Sequence, residues 1–282
     1  MKHLFALVAL TIAGSAAAQA PRPSVPPAMQ WLYGSGEGGA SSIQAYRAFR
    51  DYVLAAARRR PSRGVVLASG STLQTPVFAR CGRRPLAVVL DADETVLQNL
   101  GYEYDQAARE RGYDQERWNR WERTGAGAVR AMPGAVEALR AIRAAGVTVI
   151  FNSNRLAANA EPNAAALAQA GLGPAVHGRT LWLQGDVAPG SAKDPRRAAI
   201  AGRYCVIAMA GDQLGDFSDL FNARDLAVAE RRRLATGAAF APLWGHGWFM
   251  LSNPVYGPGL RGGLDDVFPA DTRWSDPQEG NR

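Results

Sequence analysis

The chain has 282 residues, 47% apolar and 20% charged, with a net charge of +7; this excludes a disordered chain and leaves room for one core plus a smaller lobe. Its 30 glycines and 17 prolines follow no G-X-Y period, which excludes a collagen-like chain. Two cysteines exclude a Cys₄ zinc site and a dense disulfide scaffold, and a three-histidine zinc site would need His3 as well as His177 and His246.

Met1-Lys2-His3 is a short basic stretch, followed by an apolar run from Leu4 to Gly14. That run falls short of the ~18 residues that cross a bilayer. Ala18-Gln19-Ala20 offers a cleavage site, so residues 1–20 read as a signal peptide cut after Ala20 rather than as a buried helix. No cysteine lies near the cut, and no stable membrane anchor is expected. The expected location is periplasmic or secreted. The basic surface could draw phosphate-bearing ligands or nucleic acid. Arg58-Arg59-Arg60 and Arg231-Arg232-Arg233 read as solvated helix ends, and without a nucleic-acid motif no nucleic-acid partner is expected.

Residues 21–40 read as an extended, proline-rich leader. Gly34-x-Gly36-x-Gly38-Gly39 echoes a dinucleotide loop but follows no strand, so it is discounted. Ile43, Tyr46, Phe49, Val53 and Leu54 give Ser41–Arg60 a helical rhythm. Leu86–Leu90 is a continuous apolar strand, as in a sheet covered on both faces. Residues 96–132 are rich in aromatics and charges without a strand signal, and read as an inserted helical lobe. Pro133 starts a helix that Gly146 stops, and Val147–Phe151 is the next strand. A helix over 159–170, a strand over 180–184, a helix opened by Asp194-Pro195 and a strand over 204–210 follow. The alternation predicts an α/β fold, a doubly wound parallel sheet with a small helical cap lobe. Cys81 precedes one strand and Cys205 opens another. Should those strands be neighbours, the two could bond in an oxidising compartment; otherwise they are buried free thiols.

In such sheets ligands bind beyond the carboxyl ends of the strands. There the chain places Asp91-Ala92-Asp93-Glu94-Thr95, Asn152-Ser153-Asn154-Arg155 and Gly211-Asp212-Gln213-Leu214-Gly215-Asp216, with Lys193 before the last. A carboxylate at a strand tip can attack phosphorus and form an aspartyl-phosphate. A carboxyl two residues on can protonate the leaving oxygen and then activate water. The repulsion between carboxylate and phosphoryl group calls for a cation, and Mg²⁺ held by Asp91, Asp212 and the Asp93 carbonyl meets that need. Ser153 and nearby backbone N–H groups can hold phosphoryl oxygens, and Lys193 can stabilise the transition state. Lys193 is the only lysine after residue 20, beside 30 arginines, which suggests a site needing a compact point charge rather than a planar fork. D-x-D-x-T alone is a weak signal, and its plain alternative is turn-making or capping; the ordered set of four is specific.

These residues resemble the haloacid dehalogenase superfamily of phosphohydrolases, and within it the class C bacterial acid phosphatases. The resemblance runs from about Trp31 to Leu260. Asp91-Ala-Asp-Glu-Thr-Val-Leu-Gln-Asn resembles the first family motif, Phe151-Asn-Ser-Asn-Arg the second, Lys193 the third and Gly211-Asp-Gln-Leu-Gly-Asp-Phe the fourth, while Asn253-Pro-Val-Tyr-Gly resembles a C-terminal family segment. It implies Asp91 as nucleophile, Asp93 as acid/base, Lys193 as the charge stabiliser, and Asp91, Asp93 (through its carbonyl) and Asp212 as Mg²⁺ ligands, with Asp216 behind them through water. The implied substrates are small phosphomonoesters, often nucleoside monophosphates, held at Ser153 and Asn154 and stacked on Trp118 and Tyr256. Ordinary packing is the alternative for those two aromatics, and the stronger reading for Trp121 and Tyr102. The implied organisation is a leader at 21–40, a phosphatase domain over 41–260 with its cap at about 96–132, and a C-terminal tail over 261–282. A homo-oligomer stays open.

The chain departs from the family in three places: no lipid-anchoring cysteine, Gln213 where asparagine is usual, and Gly215 where a further acid often stands. Related ion pumps carry threonine at the position of Asp93, so a carboxyl there implies phosphatase or phosphomutase chemistry, and a small inserted lobe that leaves the site open to water favours hydrolysis. Asp91 must be ionised and Asp93 protonated in the first step, which predicts a bell-shaped profile on the acid side, with the metal and Lys193 expected to pull the Asp91 pKa down. The rival is a non-catalytic phospholigand-binding or storage protein on the same scaffold; binding alone does not need the nucleophile. His177 and His246 lack the setting of a phosphohistidine site.

Overall fold

The computed structural model describes residues 24–276. The signal-peptide reading of 1–20 lies outside the described residues, as do the first residues of the leader and the last of the tail. What is described of the leader is not extended. Pro27–Met29 (α1) and residues 30–34 form successive helical turns, and the long helix Gly36–Arg59 (α2) starts before Ser41. Ser35 explains the early start: its Oγ accepts from the Gly38 N–H at 2.9 Å and donates to the Trp31 carbonyl at 2.6 Å. A Cβ on Gly38 would lie 2.4 Å from the Trp31 oxygen, so the glycine run serves close packing of turn on helix, not a nucleotide loop.

The chain continues through Arg63–Leu67 (β1) and Phe78–Arg80 (β2), an antiparallel pair without a sequence signal, into Leu86–Leu90 (β3). Next come Leu97–Gln98 (β4), Leu100–Ala108 (α3), Gln115–Thr124 (α4), Arg130–Ala131 (β5) and Ala135–Ala144 (α5). Thr148–Leu156 (β6), Ala160–Gln169 (α6), Leu181–Gln184 (β7), Asp194–Arg203 (α7) and Cys205–Gly211 (β8) follow, then Val228–Thr236 (α8), Trp248–Met250 (β9) and Leu264–Val267 (α9).

Five strands form one parallel sheet in the order β7-β6-β3-β8-β9. The order reverses at β3, with later strands added to either side, so the crevice beyond its carboxyl end is the expected ligand site. Residues of β3 alternate between two apolar layers. Val88 and Leu90 pack with α2 and α5, and Ala87 and Val89 with α7 and α8. Truncating Leu90 to alanine would cost ~2–5 kcal/mol and loosen the strand that carries Asp91. The helix α2 also reaches the turn after β3, where the Tyr46 hydroxyl donates to the Thr95 carbonyl at 2.5 Å.

The lobe at 96–132 is helical as expected, but its stem is a two-stranded pair, β4 with β5, too short for an alternating pattern to show. Cys81 and Cys205 form a disulfide across 124 residues, because Leu86 of β3 and Cys205 of β8 are partners in register. The Arg231 tract lies within α8 and is not simply solvated, since Arg231 Nε donates to the Phe221 carbonyl at 3.0 Å. Among the described residues no helix is long and apolar enough to cross a membrane.

Candidate active site

The strand tips bring Asp91, Asp212, Asp216 and Lys193 together. Asp91 follows β3 and Asp212 follows β8, and carboxylate oxygens of Asp91, Asp212 and Asp216 lie within 4.8 Å of one another. Lys193 Nζ, buried, donates to Asp91 Oδ1 and to Asp216 Oδ1, the latter at 2.6 Å. Asp212 accepts from Thr95 Oγ1 at 2.8 Å and from Asn253 Nδ2 at 2.8 Å. Gly211 permits this crowding, since a Cβ there would fall 2.3 Å from that of Asp216. At Gly215 the place of a further acid is filled by the Asn222 amide, 2.2 Å from where a Cβ would stand.

Burial pushes the Asp91 carboxyl well above the ordinary range; Lys193 pulls against it, and Asp216 and Asp212 add to it. Lys193 thus acts in the expected direction, but desolvation outweighs it. Burial, then the Asp216 charge, raises Asp212 to about 7, while Asn253 and Thr95 draw it back. Burial disfavours the Lys193 ammonium too, yet Asp216 and Asp91 more than compensate and raise its pKa. Three crowded carboxylates with one ammonium among them are short of positive charge, and hard oxygen donors in this arrangement fit a divalent cation.

Asp93 stands beside Asp91 and accepts from Arg155 Nη2 at 2.7 Å, from Arg155 Nε at 3.0 Å and from Asn99 Nδ2 at 2.9 Å. Arg155 is itself fixed by Asn163 Oδ1 at 3.0 Å and Asn99 Oδ1 at 2.8 Å, and its guanidinium lies 5.6 Å from the Trp118 ring centre. Both residues stand in motif segments, but nothing in their spacing announces that they orient Asp93.

Asp194-Pro195 opens α7 as the sequence suggests, but the Asp194 side chain does not cap it. The cap comes from Asp219, whose carboxylate accepts from the Lys193 N–H at 3.0 Å and the Asp194 N–H at 2.5 Å. In return the Asp194 carboxylate accepts from the Asp219 N–H at 2.9 Å. Arg197, fully buried, donates to the carbonyls of Gly215 and Asp216 at 2.9 Å each. The loop carrying Lys193 and the loop carrying Asp216 are therefore fastened to each other through backbone as well as through the ion pair. Such a cross-chain cap has no local signature.

A cavity of about 840 Å³ opens onto Asp91, Asp93 and Lys193, and its walls include Trp118, Tyr102 and Tyr256. Trp118 both faces the cavity and packs edge-on against Tyr102, with ring centres 4.8 Å apart. Tyr102, expected to be packing alone, reaches the wall as well. Trp121 packs, its Nε1 donating to Asn99 Oδ1 at 3.0 Å. Asn154 lines the cavity and accepts from Arg196 at 2.5 Å. Ser153 is fully buried and does not form part of that wall; its Oγ turns to the loop backbone and accepts from the Arg155 N–H at 3.1 Å. Glu94 and Asn253 have partners in the site that the sequence did not assign. Burial, then the Asp93 charge, lifts Glu94 to about 8, against the pull of Tyr256 and the Asn99 N–H. His177 pairs with Asp186 at 2.7 Å and His246 packs edge-on against Tyr52, both away from the cluster.

The class C acid phosphatase from Bacillus anthracis with tungstate bound has a similar fold: TM-score 0.66, 24% identity, 90% of this chain and 92% of that chain. A second structure of the class C acid phosphatase from Bacillus anthracis gives the same TM-score, 0.66, at 23% identity over 90% and 92% of the two chains. At that identity the likeness speaks to fold. The family model for the HAD superfamily, subfamily IIIB (acid phosphatase), matches residues 42–259, from inside α2 to beyond Tyr256, and so spans every carboxylate of the cluster. This chain belongs to that acid phosphatase family and is a phosphomonoester hydrolase.

Proposed function

We propose that this enzyme is a secreted, Mg²⁺-dependent acid phosphatase that works through an aspartyl-phosphate on Asp91 and accepts nucleoside monophosphates among its esters. The observation that carries the reading is the Asp91 carboxylate at the tip of the central strand, beside a buried ammonium and two further carboxylates. The Asp91 carboxylate attacks phosphorus, and the bond from phosphorus to the ester oxygen breaks. Asp93, oriented by Arg155 and Asn99, gives that oxygen its proton. Asp93 then takes a proton from a water that attacks phosphorus, which frees phosphate and restores both carboxyl groups to their starting states. Lys193 balances charge on the phosphoryl oxygens throughout.

Asp91, Asp212 and the Asp93 carbonyl would hold the Mg²⁺, with Asp216 behind them. Bound there, the cation supplies neutralisation of the carboxylate–phosphoryl repulsion. Asn154 and backbone N–H groups hold the phosphoryl group, and Trp118 and Tyr256 flank the leaving group. The catalytic domain runs over 41–260 with its cap at 96–132, followed by a tail at 261–282. Removal of residues 1–20 accords with the disulfide between Cys81 and Cys205, which suits an oxidising compartment.

Asp91→Asn tests the mechanism. It should preserve the fold and cut hydrolysis of p-nitrophenyl phosphate by at least ~10³-fold. Near-normal turnover would refute Asp91 as nucleophile, and turnover indifferent to EDTA would refute the metal.

A further inference from the structure

Glu94 is the residue of the site whose position is least explained by chemistry at phosphorus. It is wholly buried, and its backbone sits at φ +52°, a left-handed conformation that side chains rarely adopt. The surrounding contacts hold it there. Oε1 accepts from the Asn99 N–H at 2.9 Å, and Oε2 accepts from Asn99 Nδ2 at 3.1 Å and from the Tyr256 hydroxyl. A carboxylate on the nucleophile turn is thereby joined to a tyrosine that lies 162 residues away in the chain.

Tyr256 is built in two halves. Its hydroxyl is taken inward by Glu94, while the residue as a whole is 37% exposed and lines the cavity. Its backbone is already placed: Asn253 Oδ1 accepts its N–H at 3.4 Å, and Gln213 Nε2 donates to its carbonyl at 3.1 Å. Those bonds fix the loop and leave the ring's two torsions free. The bond to Glu94 is the polar contact that fixes the ring among the described residues. A stacking face gives affinity in proportion to how little freedom it loses on binding, so a ring fixed beforehand binds a flat group better than a loose one.

We propose that Glu94 is a positioning residue that sets selectivity for phosphomonoesters with a planar aromatic leaving group, by holding the Tyr256 ring against the cavity. The proposal rests on the reading that esters are hydrolysed at Asp91. Glu94 itself touches no reacting atom.

The test compares p-nitrophenyl phosphate with glycerol phosphate, in wild type, Tyr256→Phe, Glu94→Ala and Glu94→Gln. Tyr256→Phe keeps the ring and removes its anchor. It should raise the ratio of aromatic to aliphatic KM by roughly 3- to 10-fold, the range of a stacked aromatic contact, with a smaller change in the kcat ratio. Glu94→Ala should shift the ratio likewise, and adding Tyr256→Phe to it should give little more. Glu94→Gln, which keeps an acceptor, should restore most of the selectivity. Should the Glu94 variants misfold, Tyr256→Phe decides alone. A KM ratio within about twofold of wild type in Tyr256→Phe, or an equal loss on both esters, would overturn the proposal and leave hydrolysis at Asp91 standing. Failure of the wild-type enzyme to hydrolyse either ester would overturn both.

Discussion

The rim of the sheet and the lobe above it are built by different means. At the rim, Asp91, Asp212 and the segment leading to Asp216 continue buried strands, and Lys193 opens a helix whose loop is bound to theirs by Arg197 and Asp219. Charge is concentrated there and cross-chain hydrogen bonds are many. The lobe and the segment around Tyr256 offer aromatic faces instead, tied down at a few polar points: Asn99, Glu94, and Glu122, which accepts from Asn159 at 2.8 Å and from the Leu156 N–H at 3.1 Å. On the proposed mechanism, chemistry that every phosphomonoester shares belongs to the rim, and discrimination between leaving groups belongs to the aromatic part.

The sharpest way to break this division is at Lys193. Lys193→Arg keeps the charge but puts a planar fork where a point charge meets two carboxylates, and should lower kcat by about 10²- to 10³-fold on aromatic and aliphatic esters alike. Selective loss on one ester would place Lys193 in leaving-group recognition instead. Next in size is the disulfide. Cys81→Ser with Cys205→Ser should cost ~2–5 kcal/mol of stability, read from denaturant unfolding. It should leave the KM ratio between the two esters as it was, because the bond lies at the opposite end of β8 from Asp212.

The same division explains what could be read from the sequence. Strand tips that carry Asp91, Asp93 and Asp212 are legible because an apolar run ends in acids, and the parallel sheet follows from alternating strands and helices. Lys193, the only lysine after residue 20, was legible through composition. Arg155 on Asp93, Asp219 capping α7 and Glu94 under Tyr256 were not, because each joins residues 25 or more positions apart. No periodicity records such contacts. The two-residue strands of the lobe stem and the three-residue strand β9 are too short to show a period at all. Ser153 adds a local contact that was equally hidden: its hydroxyl oxygen, suggested by its strand tip as a phosphate ligand, accepts from the Arg155 N–H two residues on.

The smallest effect separates the two regions by pH. Burial raises Glu94 from 4.5 to about 8 and Asp212 from 3.8 to about 7, and raises Asp91 too. A carboxyl whose pKa is higher when folded holds more protons in the native state than in the unfolded one. Its stabilising contribution is complete below the unfolded value and is lost as pH rises through the folded value. In EDTA, the melting temperature should therefore fall between about pH 4 and pH 8, by roughly 2–4 °C for each kcal/mol lost. Saturating Mg²⁺ should favour ionised Asp91 and Asp212 and so remove the rim's share of that slope, raising the melting temperature more at pH 8 than at pH 5. The slope that persists belongs to Glu94 together with Glu103 and Glu122, which burial also raises, and Glu94→Gln should reduce it by the Glu94 share. A slope that Mg²⁺ abolishes entirely would mean that Glu94 titrates with the rim, and that the anchor of the aromatic face and the charged cluster are one electrostatic unit rather than two.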